Sequence, residues 1–530
     1  MNIQFRIRKV VALLVAICSS AVLSAPALHA QDILADIFDE GMNRSQIMES
    51  ISWLTDVSGG RLTNSPSMFK AASWTQRRLN EWGIQDVWTE EWGPFGQGWS
   101  NEKAWVRMVE PDAQALIFNV VEWTEGTNGI VSGPAILVSD IWNQADLDRY
   151  RGTLKGAFVL LEVAPPIAGP LLEPLATRRT PEELLQQALP RRPQTRTAMT
   201  PEDSVRFAAI RAGFARNDFL RASALPFFKE EGVAAIVLVS ETGVGGTVFL
   251  DTTFYGAVGP KSPSAVPIIT MAKEHYGRIV RILEKGLPVT LEAEINNTFH
   301  GTMDDPGINV IAEIPGTGSP EEVVMLGAHL DGFSYSTSTT DNAANVGVMM
   351  EAMRILKAVN APMKRTVRLG LWTGEEQGLY GSKAYVNDHF INLETREKTD
   401  AFDHLAAYYN LDNGTGAIRG AMSQIDIQPN SVVDSTFTAW TMLLPAELGL
   451  QIVSKLGGGG TDHVSFYTNG LPGFQFMQDW LSYWTVTHHS NMDTYERVPE
   501  ADVKKNAIIV ASFVYLTANQ ETLFPRTITR

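Results

Sequence analysis

The stretch LGLWTGEEQGLYGS runs from Leu369 to Ser382. An apolar run rises into a glycine-containing turn with two adjacent glutamates, Glu375 and Glu376, at its tip. A short apolar run bounded by turn signals reads as a buried strand. Like charges held close repel, and burial makes each charged form costlier. Two neighbouring carboxylates at the end of a buried strand therefore either face water or hold a cation.

Outward from this stretch the pattern is strand, loop, helix, repeated. EVVMLGA, RTVRLGLW and HLAAYYNL read as strands, and AANVGVMMEAMRILKAV carries Val346, Met349, Met350, Met353 and Leu356 at helical spacing. This alternation predicts an α/β fold, a mostly parallel mixed sheet sandwiched by helices. Residues 44–92 read as helical and amphipathic, above all Lys70 to Gly83. From residue 111 the texture changes to short strands and turns, closing with GLPVTLEAEI (Gly286 to Ile295). The expected organisation is a β-rich domain over 111–298, inserted into a discontinuous catalytic domain of 31–110 and 299–530. Within the insert, the Pro- and Arg-rich residues 164–203 predict an exposed excursion.

The first thirty residues read as a secretory signal peptide. Arg6, Arg8 and Lys9 precede an apolar run from Val10 to Ser24, and the small residues Ala25, Ala27 and Ala30 follow, with cleavage expected after Ala30. The apolar run is shorter than the roughly 20 residues a membrane-spanning helix needs. Export through the general secretory route to a periplasmic or extracellular location follows, with no membrane span expected in the mature chain. The one cysteine, Cys18, lies in this segment, so no thiolate chemistry is expected of the mature protein. The net charge is −16, and about −19 without the three signal-peptide cations. Such acidity argues against nucleic acid as a partner, since phosphate binding needs basic stripes.

Six of the nine histidines lie beyond residue 325. There, metal-type ligands recur directly after strands or in loops: His329 and Asp331 in GAHLDG, Asp341 in STTDNAANVG, Glu375 and Glu376, Asp412 in YYNLDNGTG, and His488, His489 and Asp493 in VTHHSNMDTYERV. Each has a bland alternative. Asp341 can cap the following helix, Asp412 can be a turn residue, and the glutamates can be a solvated helix start. In open α/β sheets, however, sites form outside the carboxyl ends of the strands, and strands ending in His, Glu-Glu and Asp converge at such an edge. The donors are nitrogen and oxygen without sulfur, which suits zinc, and also cobalt or manganese. Their number exceeds the needs of one catalytic zinc and matches two. No H-E-x-x-H, P-loop or dinucleotide fingerprint competes, and GFSYS places Ser336 where a nucleophile elbow needs its second glycine.

The motifs HLD, TDN, WTGEEQGLYGS, NLDNGTG, GGTDHVSF and THHSNMDT, in this order, resemble the co-catalytic dizinc exopeptidases, a family that includes bacterial leucyl aminopeptidases, glutamate carboxypeptidases and carboxypeptidase Q. The carboxypeptidase Q-like branch is the most similar. The resemblance implies that His329, Asp341 and Asp412 hold one zinc, and that Asp341, Glu376 and His489 hold the other, with Asp341 bridging. Glu375 resembles the general base. Asp331 resembles the carboxylate that orients His329, and the Asp341–Asn342 peptide is expected to be cis. Asp462 and His463 look like inner support, and Tyr483 is a candidate donor to the oxyanion. The residues 111–298 resemble a protease-associated (PA) domain.

The implied activity is metal-assisted hydrolysis of peptides or dipeptides near a chain terminus, as a carboxypeptidase or dipeptidase, with an aminopeptidase as the alternative. A glutaminyl cyclase and a non-catalytic PA-domain binding protein are rivals, both disfavoured by the full ligand set. Arg419, close after Asp412, is a candidate for a substrate carboxylate, against the plainer reading of a surface arginine. A homodimer is left open.

Overall fold

The computed structural model describes residues 25–526 except 168, 170, 190–199, 255, 424–431 and 455–459. The expected signal peptide lies outside the described residues through Ser24. A helix, Ala25–Asn43, runs through the expected cleavage point. No helix among the described residues is long and apolar enough to cross a membrane.

Two eight-stranded sheets carry the fold. The first has the spatial order Asp86–Trp92, Gly307–Ile314, Arg365–Trp372, Ser319–His329, Leu405–Asn410, Gly473–Gln478, Ile418–Met422, Ile452–Ser454. Its central strands are parallel: Ser319–His329 lies between Arg365–Trp372 and Leu405–Asn410, and Leu405–Asn410 pairs in parallel with Gly473–Gln478. The flanking pairs at Gly307–Ile314 are antiparallel, so the sheet is mixed. These central strands are buried on both faces, which is why their sequences are nearly continuous apolar runs. On one face the helices Ala344–Ala358 and Glu500–Asn519 supply Val346, Met349, Met353, Ile509 and Phe513 to the main core. On the other, Tyr380–His389 and His463–Tyr467 pack Tyr385, Val386 and Phe466 around Trp372 and Tyr408.

Register decides where the chemistry can sit. Within the parallel set, His329 stands beside Trp372 and Gly327 beside Asn410. The segments that follow these strands therefore leave the same edge. They carry Asp331, the Glu375–Glu376 pair and Asp412.

The second sheet, Gln114–Ala115, Gly98–Glu110, Thr290–His300, Val131–Leu137, Phe158–Leu160, Ala235–Ser240, Ile268–Ala272, Phe118–Val120, has its own core. Its long strands Gly98–Glu110 and Thr290–His300 pair antiparallel along their length. By hydrogen bonding this sheet spans 98–300, so a division at 111 and 298 cuts through a strand pair. The reading of 44–92 as helical is also corrected: Pro66–Glu81 is a helix, but Asp86–Trp92 is the edge strand of the first sheet. Its DVWTEEW composition lacks a clean alternation because its pairing with Gly307–Ile314, and not a local pattern, holds it.

The excursion is not free of the body. Helices Pro181–Ala188 and Pro201–Phe219 form within and beyond it, each started by a Thr-Pro cap. Thr177 bridges to Leu481, and Arg178 donates to Asp502 at 2.8 Å. Arg179 lies over the Trp480 ring. Ion pairing and stacking hold part of this segment to residues 479–502, which a composition-based reading cannot anticipate.

Arg61, fully buried, is the tie that shapes the site's floor. Its guanidinium donates to the carbonyls of Leu330 at 2.8 Å, Thr337 at 2.8 Å and Ser338 at 2.7 Å, and to those of Leu54 and Gly59. The loop after the Ser319–His329 strand is thus fastened at both ends. Arg61→Met, by stranding these buried carbonyls, is expected to lower unfolding free energy by at least about 3 kcal/mol. Arg61→Lys is expected not to recover it, because one ammonium cannot span the fork. Denaturant titration of the three proteins measures both.

Candidate metal centre

Asp341 stands at the centre of the site. It lies in the turn Thr339–Ala343 that opens the Ala344–Ala358 helix, and the Asp341–Asn342 peptide is cis. Its Oδ1 is 3.2 Å from His329 Nε2, and its Oδ2 is 3.1 Å from His489 Nε2. His329 Nε2 is also 3.6 Å from Asp412 Oδ1, and His489 Nε2 is 3.0 Å from Glu376 Oε2. One carboxylate thus has a histidine at each oxygen, and each histidine has a second carboxylate. His329, Asp341 and Glu376 form one group able to hold an ion, and Asp341, His488 and His489 another. Asp412 stands just outside these sets.

The tautomer of His329 follows from its partners. Its Nδ1 is 3.1 Å from the carbonyl oxygen of Asp331. A carbonyl only accepts, so Nδ1 carries the proton in the neutral ring. The Nε2 lone pair then faces Asp341 and Asp412. Both His329 Nε2 and Asp412 Oδ1 are buried without a hydrogen-bond partner among the described residues. Two acceptors and a lone pair aimed at one another require a proton or a cation between them. The donor set of imidazole nitrogens and carboxylate oxygens fits zinc.

The charge balance leads to the same requirement. Burial pushes Glu376 up to about 7 and Glu375 well above the usual carboxylate range. Burial would raise Asp341 too, but the imidazoles of His329 and His489 at its two oxygens hold it well below its ordinary value. His488 stacks on His489 with ring centroids 3.7 Å apart, and its Nε2 is 3.7 Å from Asp341. Burial and its charged neighbour His489 push His488 down to about 4. Its longer distance to Asp341 leaves His489 as the closer of the pair.

Asp331 acts differently from expectation. Its carbonyl, and not its carboxylate, accepts from His329; the carboxylate is 3.6 Å away. The reason is competition: Oδ2 is 2.9 Å from the Thr63 hydroxyl, and Oδ1 accepts from the Glu375 amide at 3.4 Å. Asp462 is fully buried and within electrostatic reach of His329, Asp331 and Asp412, with its carboxyl pushed up to about 7 by burial. His463 is buried at the start of the His463–Tyr467 helix, outside both ion-holding groups. Tyr483 is buried, packs against His488 and feels the charges of Asp341, Asp412 and Glu376. Arg419 is not a surface arginine. It is largely buried and pairs with the buried Asp479 at 3.1 Å.

Several supports were not legible beforehand. Asp493, noted only as part of its motif, accepts from the amides of Thr340 and Asp341 at 2.6 and 3.1 Å, fixing the turn that carries Asp341. The segment spanned by the second sheet reaches the site directly: the Leu250 amide donates to the His489 carbonyl at 2.8 Å, and the Val248 amide donates to Asn491 Oδ1 at 2.8 Å. Glu122 of the same segment accepts from the Ser334 amide. These contacts join residues far apart in the chain, and no local pattern announces them.

Residues 309–514 match the profile of Peptidase family M28. His329, Asp341, Glu376, Asp412 and His489 all lie within the matched stretch. Human carboxypeptidase Q is 26% identical over 261 residues, 49% of this chain and 52% of that protein. Aminopeptidase YwaD of Bacillus subtilis is 26% identical over 272 residues, 50% of this chain and 54% of that protein. The chain spans about half the length of the curated relatives it matches. Among solved structures, a Peptidase M28 precursor from Shewanella amazonensis superposes with a TM-score of 0.63 at 20% identity, covering 94% of this chain and 99% of that one. A zinc aminopeptidase from Bacillus subtilis does so at 0.54 and 17%, covering 91% and 97%. At these identities the likeness is one of fold.

Burial pushes the Glu122 carboxyl up to about 7, against the Ser334 amide that lowers it. The folded chain therefore holds a proton that the unfolded chain releases near its ordinary value of 4.5. The stability this confers is full below the unfolded pKa and is lost as pH rises through the folded one. Stability is expected to fall by up to about 3 kcal/mol between pH 4.5 and 7.5 from this group. Glu122→Gln is expected to flatten that fall, as measured by denaturant midpoints across the interval.

Proposed function

We propose that this protein is an exported zinc-dependent exopeptidase of the carboxypeptidase Q-like kind, a carboxypeptidase or dipeptidase acting on peptides or dipeptides. The observation that carries the reading is Asp341 with a histidine at each carboxylate oxygen and a further carboxylate beside each histidine. In this reading His329, Asp341 and Asp412 hold one zinc, and Asp341, Glu376 and His489 hold the other. The residues spanned by the second sheet form a PA-like domain.

Bound zinc supplies Lewis acidity, lowering the pKa of water and polarising a carbonyl. The chain's own groups do the rest. Glu375, in the turn beside Glu376, takes the proton of the attacking water at its carboxylate and hands it to the leaving amine. Burial raises the pKa of Glu375, which suits a group that must accept and then release a proton near neutral pH. Asp493 and Arg61 hold the loops that carry Asp341 and His329. The Tyr483 hydroxyl is the proposed donor to the oxyanion.

The second reading, an aminopeptidase, draws support from Arg419. Its partner is Asp479, so this arginine does not offer a free charge to a substrate carboxylate. Peptides blocked at one end separate the two. A carboxypeptidase cleaves N-acylated and spares C-amidated peptides, and an aminopeptidase does the reverse. Products identified by mass spectrometry decide it, and full activity in a zinc chelator would overturn both.

The glutamate pair offers a sharper test. Glu375→Gln is expected to keep its metal content and lose turnover by roughly 10²–10⁴-fold. Glu376→Gln is expected to lose or weaken one metal equivalent, measured by elemental analysis after dialysis.

A further inference from the structure

A cavity of about 610 Å³ lies between the two domains, within the range of sites that take small ligands. Trp92 and Tyr380 of the catalytic domain and Trp123, Leu250, Phe254 and Val258 of the second domain wall it. Phe95 joins the two sides, its ring 5.6 Å from Trp92, 6.4 Å from Tyr380 and 6.3 Å from Trp123.

The cavity adjoins the candidate metal centre. Phe333 and Tyr335 line both the cavity and the small cleft that holds Asp341, Glu376 and His489. The Phe333 ring meets the His489 ring edge-on at 4.6 Å. Gln377, next in the chain after Glu376, also lines the cavity. A peptide group placed at the centre thus has an apolar chamber one aromatic ring away.

The polar groups of the chamber narrow its ligand. Of its three carboxylates, Glu122 and Asp251 accept from the backbone amides of Ser334 and Thr253, and Asp388 accepts from the Asn387 side-chain amide. Its amines, Lys261 and Lys383, donate to the carbonyls of Pro94 and Gly378 at 2.7 and 2.8 Å. The cations are engaged with the backbone, and the remaining lining is mainly apolar, with the three carboxylates and the neutral Ser262, Gln377 and Asn387. An anionic side chain finds repulsion there, and a large apolar one finds area to bury.

We propose that this interdomain cavity receives the side chain of the residue released by cleavage and selects large apolar or aromatic residues over small and acidic ones. The proposal rests on the exopeptidase reading. It makes the second domain half of the specificity pocket, since Trp123, Leu250, Phe254 and Val258 come from it.

The released amino acid is a probe that serves whichever terminus is trimmed. The zinc-loaded full chain is titrated with phenylalanine, leucine, alanine and aspartate by calorimetry and by product inhibition. Phenylalanine and leucine are expected to bind at least tenfold more tightly than alanine, with aspartate weakest. Ala384→Phe and Val258→Trp fill the chamber from opposite walls. Each is expected to bring phenylalanine down to the affinity of alanine while leaving alanine binding and metal content unchanged. Equal affinity for phenylalanine and alanine in the wild type overturns the proposal, as does unaltered phenylalanine binding in both filled variants. The wild-type ratio decides by itself if a filled variant does not fold. Absence of hydrolysis of every peptide, with the binding pattern intact, overturns the exopeptidase reading and leaves the pocket standing.

Discussion

The structure turns on a single carboxylate whose two oxygens each face a histidine. Asp341 can be shared in this way only if its backbone is held still. Asp493 holds it through two amide hydrogen bonds, and the strands on either side present His329 and the Glu375–Glu376 turn to it. Asp331, Asp341, Glu376 and Asp493 are buried together around Arg61, and neither burial nor mutual repulsion favours their charged forms. The buried Arg61 guanidinium beneath them supplies one fixed positive charge, and it remains protonated at neutral pH although burial lowers it to about 10. The remaining excess is what divalent cations would offset.

Parallel pairing turns this requirement into geometry. Three neighbouring strands run the same way, so their following loops emerge together at one edge. Helices on both faces bury the strands and leave that edge as the one place where polar side chains can gather. The second sheet then closes over it. Through Leu250 it holds the His489 carbonyl, and through Glu122 it holds the loop at Ser334. The candidate metal centre and the apolar chamber beside it draw on residues of both sheets.

Much of the catalytic half was legible because its signals are local. Ser319–His329 and Arg365–Trp372 announce themselves as apolar runs, and Ala344–Ala358 by helical spacing. His329, the Glu375–Glu376 pair and Asp412 stand at or just after strand ends, where a sequence pattern can point to them. The strand Asp86–Trp92 could not, because its partner is more than two hundred residues away. The extent of the second sheet had no local signal for the same reason: Gly98–Glu110 is defined by Thr290–His300. The excursion read as exposed because its composition is Pro- and Arg-rich, and its arginines are anchored by Asp479, Asp502 and Trp480, which no local pattern announces.

The amino-acid sequence by itself determined the α/β alternation, the donor set of histidines and carboxylates, and the adjacency of Glu375 and Glu376. These depend on residue type and on spacing along one chain. Only the tertiary structure decided which oxygen of Asp341 faces which histidine, that His489 lies nearer to it than His488, and that the Asp331 carbonyl rather than its carboxylate serves His329. It alone placed an aromatic chamber beside the centre. Those outcomes depend on competition among partners brought together from distant segments, and such competition exists only once the strands have paired and the two domains have closed.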